Sequence, residues 1–431
     1  MHDFLKKCIV FILTWEARAV LTRYKPRIIA VTGSVGKTTT KEAIYVALSR
    51  DLYVRKSQKS MNSEIGVPLT ILGLENAWNS PFKWLLNILR GLWLVVAWHS
   101  YPAWLVLEVG ADRPGDIKRI ARWLRPDVAV LTGVPEIPAH VEYFPSPEAL
   151  VKEKRMLAEY LKPGGKLVLN GDDIRLREIR SDFRGATVTF GEGGENDFFS
   201  SHDEIIYQDH IPAGMHFRMD HAGSSVPVTI YGSLGYPRIY AALAAFAVGD
   251  CIGVDSISIA TALSGWAPPP GRVRLLRGIK GSTIIDDTYN SSPSAALAAL
   301  DILKEVGTGK RRIAVLGDML ELGKYSHEAH RQVGERAAKC ADMLITVGFR
   351  ARALAEAALD AGMKEKNIRQ YELHEAERAG KELEAELREG DLVLVKGSQS
   401  MRMERTVLEI MAEPQRAADL LVRMDSDWLT R

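Results

Sequence analysis

The apolar run "RIIAVT" (27–32) stops at Gly33, and "KTTTKEAIYVALSR" then takes on helical spacing, with Ile44, Ala47 and Leu48 on one side. A buried strand turning through glycines into a helix outlines a phosphate cradle. Gly33 and Gly36 let backbone N–H groups approach phosphate oxygens, and the helix adds its N-terminal dipole. Lys37 has the length to reach outer phosphates, and the Thr38 hydroxyl suits Mg²⁺. The nucleotide-binding set expected here is Gly33, Ser34, Gly36, Lys37, Thr38 and Thr39. One anomaly stands out: Val31 occupies the first glycine position of the general G-x-x-x-x-G-K-[ST] pattern.

Further apolar runs follow at "AWLVLEVG" (103–110), "DVAVLTGV" (127–134) and "KLVLNGDD" (166–173), with helical stretches near 115–124 and 147–161. Such alternation predicts a parallel sheet covered on both faces. From 185 to 232 shorter alternating runs, "GATVTF" and "SSVPVTIY" among them, predict an antiparallel patch. "RIYAALAAFAVGDCIG" reads as a helix closed by glycine. The three prolines of "GWAPPPGR" (265–272) mark a boundary. A second doubly wound series follows, "STIIDD", "RRIAVLGD", "ADMLITVG" and "DLVLVKGS", with Ser292-Pro293 as a helix start. The expectation is an α/β protein. A short apolar and basic segment (1–26) leads into a P-loop ATPase domain with a central, mostly parallel sheet (27–267). A Rossmann-like α/β domain (268–431) completes it.

Bulk properties narrow the function. Lys and Arg number 56 against 54 Asp and Glu, a net charge of +2, without the basic surplus of a nucleic-acid binder. Cys8, Cys251 and Cys340 lie too far apart for a metal knuckle and fit a reducing cytoplasm. "CIVFIL" (8–13) and "GLWLVVAW" (91–98) fall short of the ~20 apolar residues that cross a bilayer. Five of nine tryptophans crowd into 78–104. That segment either packs on the core as an apolar helix or makes peripheral contact with a membrane or a lipid-linked substrate. A monomer is expected.

Glu108 ends an apolar strand, where a carboxylate needs a partner or a metal. With Thr38 and with His140, just beyond the third strand, it suggests a metal cluster. Lys154, in "VKEKRML", reads by spacing alone as one charge on a solvated helix face. In the second domain Asp286, Asp287 and Asn290, then Asp318 and Glu321, then Lys396 and Ser398 follow the first, second and fourth of its expected strands. Ligands of such sheets gather at strand carboxyl ends, so these residues predict a binding rim.

Taken in order, "VTGSVGKTTTKE", "NSEIGVPLTIL", "LEVGADRPGDI", "AHVEYFPSPEALVKEK", "PPPGRVRLL", "IIDDTYNSSPSAALAAL", "AVLGDMLELGKYSHEAH" and "VLVKGS" resemble the Mur ligases over about 27–410. The resemblance is nearest to the MurF-type branch, which adds D-alanyl-D-alanine to a UDP-N-acetylmuramoyl tripeptide. It implies an ATP- and Mg²⁺-dependent ligase that joins a peptide carboxylate to an amine through an acyl-phosphate, in cell-wall precursor synthesis. The family's loop is T-G-[ST]-x-G-K-T, which resolves the Val31 anomaly. By the same resemblance Glu108 and His140 hold a second Mg²⁺, and Lys154 is the lysine that many members carry as a carbamate. Arg272 contacts phosphate and Asp287 ribose, while Asn290, His330, Lys396 and Ser398 lie near the nucleotide or the incoming amine.

Three departures accompany the likeness. Only about thirty residues precede the loop, where MurF-type enzymes have a domain for the UDP group. The helix signature G-x-H-N-x-x-N-A-L stands here as "GYPRIYAAL", and N-x-N-N as "SMNS", keeping Asn62. Two other readings remain: a folylpolyglutamate-synthase-like ligase with another acid, and a non-catalytic nucleotide-binding scaffold.

Overall fold

The computed structural model describes residues 2–58, 61–78, 80–307, 309–425 and 428, which are organised around two sheets. The first contains β1 (Arg27–Thr32), β2 (Val54–Lys56), β3 (Trp104–Glu108), β4 (Val128–Leu131), β5 (Lys166–Asn170), β6 (Ala186–Gly191), β7 (Phe198–Gln208), β8 (Ile211–His221) and β9 (Ser224–Tyr231). Its order is β2-β3-β1-β4-β5-β6-β7-β8-β9. β1 lies between β3 and β4, with Val31 beside both Glu108 and Val130. All of β3 and β4 is buried, so these strands read as unbroken apolar runs.

β7, β8 and β9 form the expected antiparallel patch, but they extend the same sheet. The "GATVTF" strand, β6, is parallel to both β5 and β7 and so belongs to the parallel part. Its short alternation reflects an outer position, with the first three residues only partly covered.

Helices α1 (His2–Tyr24), α2 (Lys37–Ser49), α3 (Gly66–Leu72), α4 (Pro81–Val96), α5 (Asp116–Leu124), α6 (Pro147–Glu159), α7 (Ile174–Asp182), α8 (Tyr236–Ile252) and α9 (Ser256–Ser264) cover the sheet. Side-chain alternation in β1 divides them. Ile29 and Val31 join the core with Ile44 of α2 and Phe246 of α8, while Ile28 and Ala30 join Leu13 of α1, Ile117 of α5 and Leu150 of α6. Gly253, at φ 81°, closes α8.

Residues 2–24, which read as a short apolar and basic lead, fold into one helix. Leu13, Ala17 and Val20 of α1 are buried. Glu16 is buried too, against Gly91 of α4, where an added Cβ would lie 2.1 Å from Glu16 Oε2. Neither Glu16 oxygen has a hydrogen-bond partner among the described residues, and burial pushes its pKa up to about 7. Arg23 donates from Nη1 to the Val95 carbonyl at 2.6 Å, and Tyr24 Oη donates to the Leu94 and Ala97 carbonyls. These bonds satisfy carbonyls at the end of α4. The Trp-rich helix therefore rests on α1, with only Asn87 and Gly91 fully buried.

The second sheet has β10 (Arg274–Arg277), β11 (Thr283–Asp287), β12 (Arg312–Gly317), β13 (Met343–Val347), β14 (Ile368–Tyr371) and β15 (Leu392–Lys396), in the order β10-β11-β15-β12-β13-β14. Five strands are parallel, and β10 is an antiparallel edge. Register sets Asp287 beside Lys396. Ser292 stands at the N-cap of α10 (Pro293–Val306), although its side chain makes no cap bond.

Candidate active site

The carboxyl ends of the two sheets face one another across a cleft of about 890 Å³. Its floor is the loop between β1 and α2. Thr132, at the end of β4, donates from Oγ1 to the Val35 and Thr32 carbonyls, and Ser34 N–H donates to Gly133 O at 2.7 Å. Gly33 passes so close that an added Cβ would come within 2.1 Å of Thr132 Oγ1. Gly36, at φ 78°, turns the chain into α2 in a conformation that glycine adopts without strain.

Lys37 folds back over this loop, donating from Nζ to Gly33 O at 2.9 Å. Burial lowers its pKa and Arg272 adds to the effect, while Glu108 opposes it. Thr38 donates from Oγ1 to Glu108 Oε2 at 3.0 Å, and Asn62 Nδ2 donates to Glu108 Oε1 at the same distance. Ser57 Oγ accepts from Glu108 N–H. Thus Glu108, 1% exposed, is a buried carboxylate held by two side-chain donors, with Lys41 Nζ 4.0 Å away. Lys41, Ser57 and Thr132 were not expected as site residues. The signal for Lys41 is its place three residues before Ile44, on the buried stripe of α2.

Lys154 is 2% exposed, so the solvated face that its spacing suggested is overturned. It shares the buried stripe of α6 with Leu150, Glu153 and Leu157. Glu153 is occupied in accepting the Gly115, Ile117 and Lys118 amides at the start of α5. Lys154 has no hydrogen bond or ion pair to any described residue, and burial, with Lys37 adding to it, brings its pKa down to about 7. A sizeable share of its amine is therefore uncharged at neutral pH.

From the second sheet, Arg272 donates from Nη2 to Thr38 Oγ1 at 3.3 Å, its guanidinium lying 3.9 Å from the Tyr289 ring centre. Asp287, expected at a ribose, is paired here with Lys396 at 2.6 Å, and Lys396 also donates to Asn290 O. Arg272, Asp287, Asn290 and Lys396 all line the cleft. Asp286 instead accepts from Gly271 N–H and Thr288, and burial raises its pKa to about 6.

Asp318, His330 and Ser398 are not brought to the cleft wall. Asp318 accepts from Ala351 N–H, His330 Nε2 from Met319 N–H, and Ser398 Oγ from Leu320 N–H. They brace the 318–322 loop from behind. That loop's Glu321 meets His140 Nδ1 at 2.6 Å, across the two units, and the histidine lowers the Glu321 pKa.

Where the helix signature departs, Arg238 is 1% exposed and stacks 3.9 Å from the Trp266 ring centre. None of its three guanidinium nitrogens finds an acceptor among the described residues, and burial lowers its pKa to about 9.

The Thr38 hydroxyl and Glu108 carboxylate are hard oxygen donors 3.0 Å apart, a pair that fits Mg²⁺. No group of three or more His, Cys, Asp and Glu gathers as a metal cage among the described residues. Few protein ligands suit Mg²⁺, which draws the rest from phosphates and water.

Comparison with known proteins identifies both units of the chain. The Mur ligase middle domain matches residues 31–82 and 94–249, and the Mur ligase, glutamate ligase domain matches 271–399. The UDP-N-acetylmuramoyl-tripeptide–D-alanyl-D-alanine ligase of Bacillus subtilis is 30% identical over 399 residues, covering 92% of this chain and 79% of the relative. The crystal structure of MurF ligase from Thermotoga maritima in complex with ADP superposes with a TM-score of 0.75 at 28% identity, covering 94% of this chain and 84% of that one. Mycobacterium tuberculosis folylpolyglutamate synthase shares the fold, with a TM-score of 0.63 at 16% identity over 92% of this chain and 95% of its own. With both domain models matched in order and a curated relative 30% identical over nine-tenths of this chain's length, the chain belongs to the Mur ligase family of ATP-dependent, amide-bond-forming enzymes.

Proposed function

We propose that this ligase is of the MurF type, joining the amine of D-alanyl-D-alanine to the terminal carboxylate of a muramoyl tripeptide, in the cytoplasm and as a monomer. The likeness to MurF-type ligases over nine-tenths of the chain carries the choice of substrates, and Thr38 supports the ligase chemistry. Its hydroxyl binds Glu108 beside the phosphate loop and also accepts from Arg272 of the other sheet. Residues 27–267 hold the phosphates in this reading, and 268–431 bring the second substrate.

In the reaction, the acid's carboxylate oxygen bonds to the γ-phosphorus of ATP and ADP leaves. The amine then attacks the acyl carbon and phosphate departs, leaving an amide. Lys37 exchanges its bond to Gly33 O for the outer phosphates, and Arg272 already reaches the same end of the cleft. Thr38 would hold one Mg²⁺ with the nucleotide, and Glu108 with, after a turn away from Glu321, His140 would hold a second, helped by Lys154 as a carbamate. Bound there, Mg²⁺ would supply charge to offset that developing on the phosphoryl oxygens. An uncharged Lys154 amine is the form able to add CO₂. Approach of the two sheets keeps water from the acyl-phosphate.

The test is mass spectrometry of product formed from ATP, Mg²⁺, the UDP-linked tripeptide and D-alanyl-D-alanine. A product heavier by the dipeptide, less water, is expected. No product from a sample that demonstrably binds ATP would overturn the choice of substrates.

A further inference from the structure

Helix α4 carries Phe82, Leu85, Leu89, Trp93 and Val96 on one side, at the three- and four-residue spacing of a single helical face. All five are exposed, Phe82 to 75% and Val96 to 71%. Trp98, just past the helix, is 79% exposed. The adjoining α1 repeats the pattern with Phe4, Phe11 and Trp15, exposed to 74%, 73% and 52%. Isolated exposed apolar residues are ordinary, but two adjacent helices with outward aromatic stripes are not. Nor is α4 a frayed element, since Arg23 and Tyr24 hold its last turn. Both helices fall largely outside the segments that match the family domains, 31–82 and 94–249.

Charge identifies what this face meets. α4 contains Lys83 and Arg90 and no carboxylate. Between residues 4 and 24 the one acid is Glu16, which is buried. Beside α1, a groove of about 720 Å³ with aromatic walls is lined by Lys6, Lys7, Arg18, Arg113 and Arg119, with Glu64 as the acid in the lining; Arg119 is paired with Asp116, and the other four cations keep the groove basic. Apolar side chains flanked by cations match the boundary of an anionic bilayer, where acyl chains take the former and lipid phosphates the latter. A second copy of this chain would set the same cations against one another. No described helix is long and apolar enough to cross a membrane, so the fit is to the surface.

We propose that the α1–α4 face rests on an anionic lipid bilayer, with the basic groove beside α1 receiving the lipid phosphates. The site stands apart from the ligase cleft, so the proposal holds whichever acid and amine the enzyme joins.

The test is co-sedimentation of the full chain with phosphatidylcholine vesicles, with and without phosphatidylglycerol, at low and high salt. Strong binding to the anionic vesicles, weakened by salt, is expected. The double substitution Phe82→Ser and Trp93→Ser alters exposed positions only and would weaken binding at least about tenfold, with ATP hydrolysis in vesicle-free buffer unchanged. Lys6→Gln with Lys7→Gln would weaken it about fivefold per lysine. Absence of binding, or equal binding to neutral and anionic vesicles, would overturn the proposal. So would gel filtration showing a dimer that the Phe82/Trp93 variant turns into a monomer, since the face would then be a contact between copies.

Discussion

Replacing Glu16 by Gln tests whether the α1–α4 contact is as dry as it looks. The carboxyl is buried against Gly91 without a hydrogen-bond partner among the described residues, and its pKa rises from an ordinary 4.5 to about 7 by desolvation alone. A folded state that keeps its proton longer than the unfolded chain binds more protons between those values. Stability therefore falls as pH rises from about 4.5 to about 7, and stays low above that. At about 1.4 kcal/mol per unit, the loss approaches roughly 3 kcal/mol. The amide does not ionise, so Glu16→Gln escapes it. For a domain of this size that corresponds to a melting-temperature gain of roughly 6–12 °C above pH 8, relative to wild type, and little gain near pH 4.5. Thermal unfolding followed by circular dichroism across that range reads the difference. Parallel pH profiles for the two proteins would falsify the claim that the helices exclude water there.

Lys37→Ala is expected to lower ATP-dependent phosphate release at least about a hundredfold while leaving the melting temperature near wild type, because the hydrogen bonds of its Nζ go to carbonyls of its own loop. Wild-type turnover would refute the loop's role. Glu108→Ala removes the acceptor shared by Thr38 and Asn62, and a Mg²⁺ titration of phosphate release is expected to need far higher concentrations. Carbon-13 bicarbonate is expected to give a carbamate resonance that strengthens as pH rises through about 7, where the Lys154 amine becomes neutral, and that is missing in Lys154→Arg. Identical spectra for the two proteins would count against the modification. Gly33→Ala drives a methyl group into Thr132, so nucleotide affinity measured by calorimetry is expected to fall with the fold retained.

The buried parallel strands were legible because their apolar runs are unbroken, and the phosphate loop because glycine, lysine and threonine stand between a strand and a helix. Lys154 was misjudged from spacing because one charged residue among "VKEK" looks solvated. The stripe of Leu150 and Leu157 on the same side of α6 held the correcting signal. The pairings of His140 with Glu321 and of Asp287 with Lys396 join residues some 110 to 180 positions apart in sequence. Nothing local encodes them: the first follows from how the two sheets approach, the second from the register of β11 beside β15. Likewise, the length of α1 was hidden because its seven-residue spacing of Phe4 and Phe11 faces outward, against the usual burial pattern.

The Thr38 hydroxyl belongs to two neighbourhoods, giving its proton to Glu108 and a lone pair to Arg272. Any ligand that draws on that oxygen is therefore felt by the arginine. Linkage makes this symmetrical: whatever the ligand does to the Arg272–Thr38 contact, that contact does equally to the ligand's affinity. Occupancy of the nucleotide loop and the grip of Arg272 on Thr38 are in this sense coupled, and either can be used to read the other.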